Sequence, residues 1–179
     1  MKKIILAASA LVLGSVAAHA ADGTVTINGV VTDQTCKVTN GSKDITVTLP
    51  TVGVNSLAVI GQTAGRTPFT INLENCKAGD VSVFFETGSN VDAATGNLNN
   101  ATGGAKNVQV QLLSDKSIVI PLLANATQSP VTTRATVVGV SGTATTGTAA
   151  LNYYAQYLAT GVATPGTVAT SVQYTVNYQ

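Results

Sequence analysis

From Val168 to Tyr178 the chain keeps one parity of apolar and β-branched residues: Val168, Thr170, Val172, Tyr174, Val176 and Tyr178. A period of two puts successive side chains on opposite faces of an extended backbone, so this run specifies a strand with one buried face. The pattern recurs. Ile45, Val47 and Leu49 alternate with Thr46 and Thr48 and stop at Pro50; Phe69, Ile71 and Leu73 alternate with Thr70 and Asn72. Val81, Val83 and Phe85 follow, then Val108, Val110 and Leu112 against Gln109 and Gln111, then Ile118, Ile120 and Leu122 around Pro121. Turn formers lie between, among them Asn40-Gly41-Ser42, Lys77-Ala78-Gly79-Asp80 and Thr102-Gly103-Gly104. Helical periodicity is absent after the leader described below, although Ser56 to Ile60 could form one helical turn. Many short strands separated by turns, with no linker between them, predict one all-β domain built as an antiparallel sandwich.

The first twenty residues read as a secretory leader. Lys2 and Lys3 precede an apolar stretch from Ile4 to Val16, and Ala18-His19-Ala20 offers a small-residue cleavage site before Ala21. A membrane span needs about 20 apolar residues, more than this stretch supplies. Removing the leader takes away His19, the only histidine, so the mature chain carries no imidazole for a triad, a general base or a metal site. It also removes two lysines and turns the small net positive charge slightly negative, leaving no basic surface for nucleic acid. Charged residues are 9% of the chain, against about a quarter in an average soluble domain. An enzyme is disfavoured, and no cofactor is called for.

Cys36 and Cys76 are an even pair in an exported chain and are expected to be bridged, the alternative being two free buried thiols. Asp80, Glu86 and Asp92 form no ladder of calcium ligands and read as loop residues. Arg66 and Arg134 are isolated and read as surface residues. The Asn-x-Ser/Thr matches at Asn40, Asn100 and Asn125 are accounted for by an Asn- and Thr-rich surface. Tyr153, Tyr154 and Tyr157 could stack on a carbohydrate, but they occupy both faces of one strand, which favours packing.

The segment Gly23-Thr24-Val25-Thr26-Ile27-Asn28-Gly29-Val30-Val31 alternates like a strand but lies at the mature terminus. On periodicity it reads as the first strand of the sandwich, although a terminus is usually disordered unless something ties it down, and Gly29 within it suggests close approach of another group.

The two ends together resemble the structural subunits of chaperone–usher fimbriae, the major pilins of the type 1 and P pilus group. The resemblance rests on Gly166, the penultimate Tyr178 and the alternation between them, on Tyr154 to Gly161 followed by Thr164-Pro165-Gly166, and on the stretch from Gly23 to Val31 leading to Cys36. It implies an incomplete immunoglobulin-like sandwich, completed in trans by a donor strand. Residues 1–20 would be the leader, 21–33 the donor extension and 34–179 the pilin domain. Val25, Ile27, Gly29 and Val31 would be the inserting residues. Gly166, Val172, Tyr174, Val176 and Tyr178 would form the accepting strand, read first by a chaperone. The implied partners are further copies of the chain, a periplasmic chaperone, an outer-membrane usher and tip adaptor or adhesin subunits. The implied destination is a fimbrium at the cell surface. A minor subunit of the same pilus, or a self-contained secreted binding module, are the other readings.

Overall fold

β-branched and aromatic residues two apart fit a pleated surface with one buried face. In the computed structural model most of the alternating runs become strands of two packed sheets. The structure describes residues 25–29, 31, 36–129, 131–137 and 146–178. The expected leader, and Gly23, Thr24 and Val30 of the terminal segment, lie outside the described residues. The chain divides into two units, residues 1–32 and 33–179.

In the second unit the elements run β1 (Lys37–Val38), α1 (Asn40–Lys43), a 3-10 turn (Val54–Leu57), β2 (Thr63–Lys77), β3 (Gly79–Phe85), β4 (Leu98–Asn99), β5 (Val108–Ser114), β6 (Arg134–Val137), β7 (Thr146–Ala159) and β8 (Tyr174–Tyr178). One sheet has the order β1-β2-β7-β5-β4 and the other β6-β3-β8. Every pairing is antiparallel. The long β2 and β7 form the spine of the larger sheet, with Phe69 opposite Tyr153 and Ile71 opposite Leu151. Their inward side chains, with Val110 and Leu112 of β5, meet Val81, Val83 and Phe85 of β3 in the main core. Tyr153 is its centre: fully buried, it stacks on Phe69 at 5.6 Å and takes the edge of Phe85 at 5.1 Å. Its hydroxyl finds Thr132 Oγ1 at 3.3 Å and the Thr133 carbonyl at 3.4 Å, and burial pushes its pKa up to about 12. The other face of the larger sheet is polar, with Gln156 Nε2 donating to Gln111 Oε1 across β7 and β5 at 3.0 Å.

Cys36 and Cys76 are joined in a disulfide, which ties the start of the second unit to the end of β2.

Several expectations change in detail. Asn40-Gly41-Ser42, expected as a bare turn, winds into α1, whose Ser42 Oγ accepts from the Asn72 amide at 2.9 Å. The expected helical turn is present two to three residues earlier, as Val54–Leu57. The run Ile118 to Leu122 is extended but forms only the single bridge Leu113–Val119, because the turn that precedes it leaves it beside the end of β5. The terminal run enters a ladder only from Tyr174 onward, and the run from Ile45 to Leu49 enters none. Residues 25–29 and 31, expected as a strand, have no regular structure.

Candidate functional site

The two runs that fail to pair face each other across an opening in the sandwich. Residues 44–50 carry the strand alternation in full: Ile45, Val47 and Leu49 are half-buried against the main core, while Thr46 and Thr48 are exposed. Among the described residues no strand pairs with them. Opposite lie residues 168–173, whose odd members are tied away from the opening. Ala101 donates to the Ala169 carbonyl at 2.9 Å, the Ala169 amide donates to Asn100 Oδ1 at 2.8 Å, Asn90 Nδ2 donates to the Ser171 carbonyl at 3.0 Å, and Glu86 donates to the Gln173 carbonyl at 2.8 Å. In an extended segment the backbone groups of alternate residues point to opposite edges. Val168, Thr170 and Val172 therefore present their N–H and C=O groups toward the opening, where no described residue pairs with them.

Between these edges lies a groove of about 630 Å³. Its floor is main-core side chain, with Phe69, Ile71, Leu112 and Ala155 from the larger sheet and Phe85 from the smaller. Val168, Thr170, Val172 and Tyr174 line one wall, and Ile45, Val47 and Leu49 the other. In this apolar lining Thr170 Oγ1 is buried with no hydrogen-bond partner. A buried hydroxyl left unpaired costs roughly 1–3 kcal/mol.

Two tyrosine hydroxyls strap one end of the groove. Tyr174 donates to the Ser42 carbonyl at 2.6 Å, and the Cys36 amide donates to the Tyr178 hydroxyl at 2.7 Å. Burial, and to a lesser extent the nearby Asp44 carboxylate, raise the Tyr174 pKa.

Of the residues expected in an accepting strand, Val172 and Tyr174 line the groove, while Val176 and Tyr178 pack against the main core beyond its strapped end. Gly166 is outside the groove: it lies in the preceding turn, where an added Cβ would stand 2.8 Å from Ala105 Cα and collide with its amide. Val168 and Thr170 belong to the same run expected to accept, whereas Ile45, Val47 and Leu49 were not expected in the site, although the alternation ending at Pro50 was visible. In the first unit, Val25, Ile27 and Val31 are 87%, 89% and 102% exposed, and no atom lies within 4 Å of where a Gly29 Cβ would be.

The remaining candidates hold structural places. Asp80 and Glu86 each accept a threonine hydroxyl at 2.6 Å, and Asp92 accepts the Ala94 and Thr95 amides, which hold its carboxyl below the usual range. Arg66 stacks 4.7 Å from the Tyr154 ring centroid.

The geometry is that of a two-sheet sandwich one strand short, in a chain whose terminal segment has the alternation of a strand and lies exposed. The sequence model of the type-1 fimbrial protein A family, FimA, matches residues 49–179, and the chain belongs to that family. It is 50% identical to the major fimbrial subunit SMF-1 of Stenotrophomonas maltophilia, over 94% of this chain and 99% of that one. It is 45% identical to the F17 fimbrial protein of Escherichia coli, over 92% of each. Among solved structures, the P pilus rod subunit PapA superimposes with a TM-score of 0.58 at 19% identity, covering 80% of this chain and 99% of that one. A type I fimbria protein of Burkholderia pseudomallei gives 0.53 at 26% identity, covering 82% and 91%. The chain is a structural pilin, exported to the cell surface, where it polymerises into fimbriae.

Proposed function

We propose that the subunits join head to tail by strand insertion, Val25, Ile27, Gly29 and Val31 of one copy entering the groove of the next. The observation that carries this is the pairing of an open groove, with unpaired backbone on its wall, and an exposed alternating segment in the same chain. Main-chain bonds would supply affinity and the alternate side chains would fill the apolar floor.

The direction follows from covalent connectivity. The extension joins the rest of the chain at Cys36, beside Tyr178. A donor running parallel to residues 168–178 would bring its own Cys36 end onto that of the acceptor, where the acceptor's extension leaves. An antiparallel donor instead lays Val25 toward Tyr174, Ile27 toward Val172, Gly29 toward Thr170 and Val31 toward Val168, with its own second unit beyond Val168. In this register the residue without a side chain faces Thr170, between Val168 and Val172 on that wall, leaving room for a water that could satisfy Thr170 Oγ1. Such a contact is heterologous and does not close on itself, so repetition gives a filament.

An open apolar groove is an aggregation hazard before insertion. A periplasmic chaperone would cover it with a strand of its own, reading Val172, Tyr174, Val176 and Tyr178; an outer-membrane usher would host the exchange; and adaptor or adhesin subunits at the tip would accept without repeating the rod. Deleting residues 21–31 should give a subunit that accepts a donor but cannot supply one, so that cells carrying only this version make no fimbriae by electron microscopy. Fimbriae of normal length from the deleted chain would refute the proposal.

A further inference from the structure

At the end of the sandwich opposite the disulfide, the chain exposes apolar side chains that the groove does not use. Among the described residues from 36 on, the most exposed large apolar side chains are Ile60 at 71%, Val162 at 68% and Val59 at 58%. They come from two adjacent segments: the Gly61 amide donates to the Ala159 carbonyl at 2.8 Å and the Ala163 amide to the Leu57 carbonyl at 3.1 Å. Beneath them lies a small second core of Leu57, Ala105, Val108, Ala159 and Ala163, against which the groove residues Tyr157 and Val168 also pack. The patch is thus continuous with the mouth of the groove. The two segments themselves carry no charge, since no Asp, Glu, Lys or Arg occurs from Ile45 to Gly65 or after Arg134, and the exposed Lys106, paired through its backbone with Thr164, stands at their border. An exposed apolar surface depleted of charge has the composition of the centre of a protein interface.

We infer that this patch receives a second copy of the chain, namely the disulfide end of the subunit whose extension fills the adjacent groove. The inference rests on the antiparallel insertion proposed above, which carries the donor's second unit past Val168 and onto this end. The partner is then bound by two contacts, the strand in the groove and the cap on Val59, Ile60 and Val162. The cap would limit bending at each joint, which a single threaded strand would leave free.

Hydroxyl-radical footprinting of the full chain tests this, comparing monomers with size-fractionated dimers, in which coiling contacts between distant subunits do not exist. In a dimer only the accepting copy is covered, so oxidation of Ile60 and Val162 should fall about twofold, together with an equal fall at Val172 and Tyr174. Protection of Val172 and Tyr174 with full reactivity at Ile60 and Val162 would overturn the inference and leave strand insertion standing. Protection at Ile60 and Val162 alone would overturn the insertion on which the inference depends, and no protection at either would overturn both.

Discussion

Replacing Ile27 by Ala isolates the contribution of one inserting side chain. In the lone chain Ile27 is 89% exposed, so the substitution removes nothing from the subunit's own core and its unfolding midpoint should not move. On insertion the side chain would pass from water to the apolar floor beside Val172. Ile→Ala removes the equivalent of three methylene groups, at about 0.8 kcal/mol each, so strand affinity should fall by about 2.4 kcal/mol, or roughly 60-fold. A cavity that cannot collapse raises the loss toward the upper end of the roughly 2–5 kcal/mol seen for such changes in cores. The assay is titration of a synthetic peptide of residues 21–33, with and without the substitution, into the full-length subunit. A peptide with Thr26→Ala, whose side chain would point outward, is the control and should bind within about threefold of the native one, as expected for a residue not buried at the contact. If Ile27→Ala binds as tightly as the control, the register set out above is wrong.

The Cys36–Cys76 bridge closes a loop with a sequence separation of 40, for which the chain-entropy relation gives about 4 kcal/mol; Cys36→Ser with Cys76→Ser should lower the denaturant midpoint accordingly, measured under non-reducing conditions. Tyr153 holds its proton more tightly folded than unfolded, so its contribution is complete below about pH 10 and is lost as pH rises toward about 12. Stability measured across that window should fall in the native chain and fall less in Tyr153→Phe, and identical slopes would refute the assignment. Tyr178→Phe removes the acceptor for the Cys36 amide, and at about 1 kcal/mol for a hydrogen bond the amide should exchange roughly fivefold faster by mass spectrometry, with the sheets unaffected.

The alternation in Phe69-Ile71-Leu73 and Val81-Val83-Phe85 was legible as buried strand faces because periodicity reports which way side chains point. It does not report what lies beside a strand. Ile45, Val47 and Leu49 therefore looked like any other strand, although they form one wall of the groove. The same limit applies within the terminal run: one parity extends from Val168 to Tyr178, yet β3 reaches only as far as Tyr174, and loop residues such as Asn100 and Asn90 take over the outer edge. Side-chain ties across long separations, such as the hydroxyl of Tyr178 to the amide of Cys36, leave no periodic trace at all. Gly166 was legible as a special position but for a different reason: it is kept small by the backbone of Ala105 rather than by the groove.

The disulfide has a mechanical consequence. In a filament built by insertion, tension applied to one subunit enters the next through the extension and reaches the folded unit at Cys36. β1, the strand that follows, is only 2 residues long and would unzip bond by bond if it took the force alone. The bridge to Cys76 diverts that force into β2, whose 15 residues are paired along most of their length with β7. The pull then runs along the strand axis, so many ladder bonds must slide together before any gives way, and a weak seam at the entrance becomes a shear joint spread over the longest pairing in the molecule.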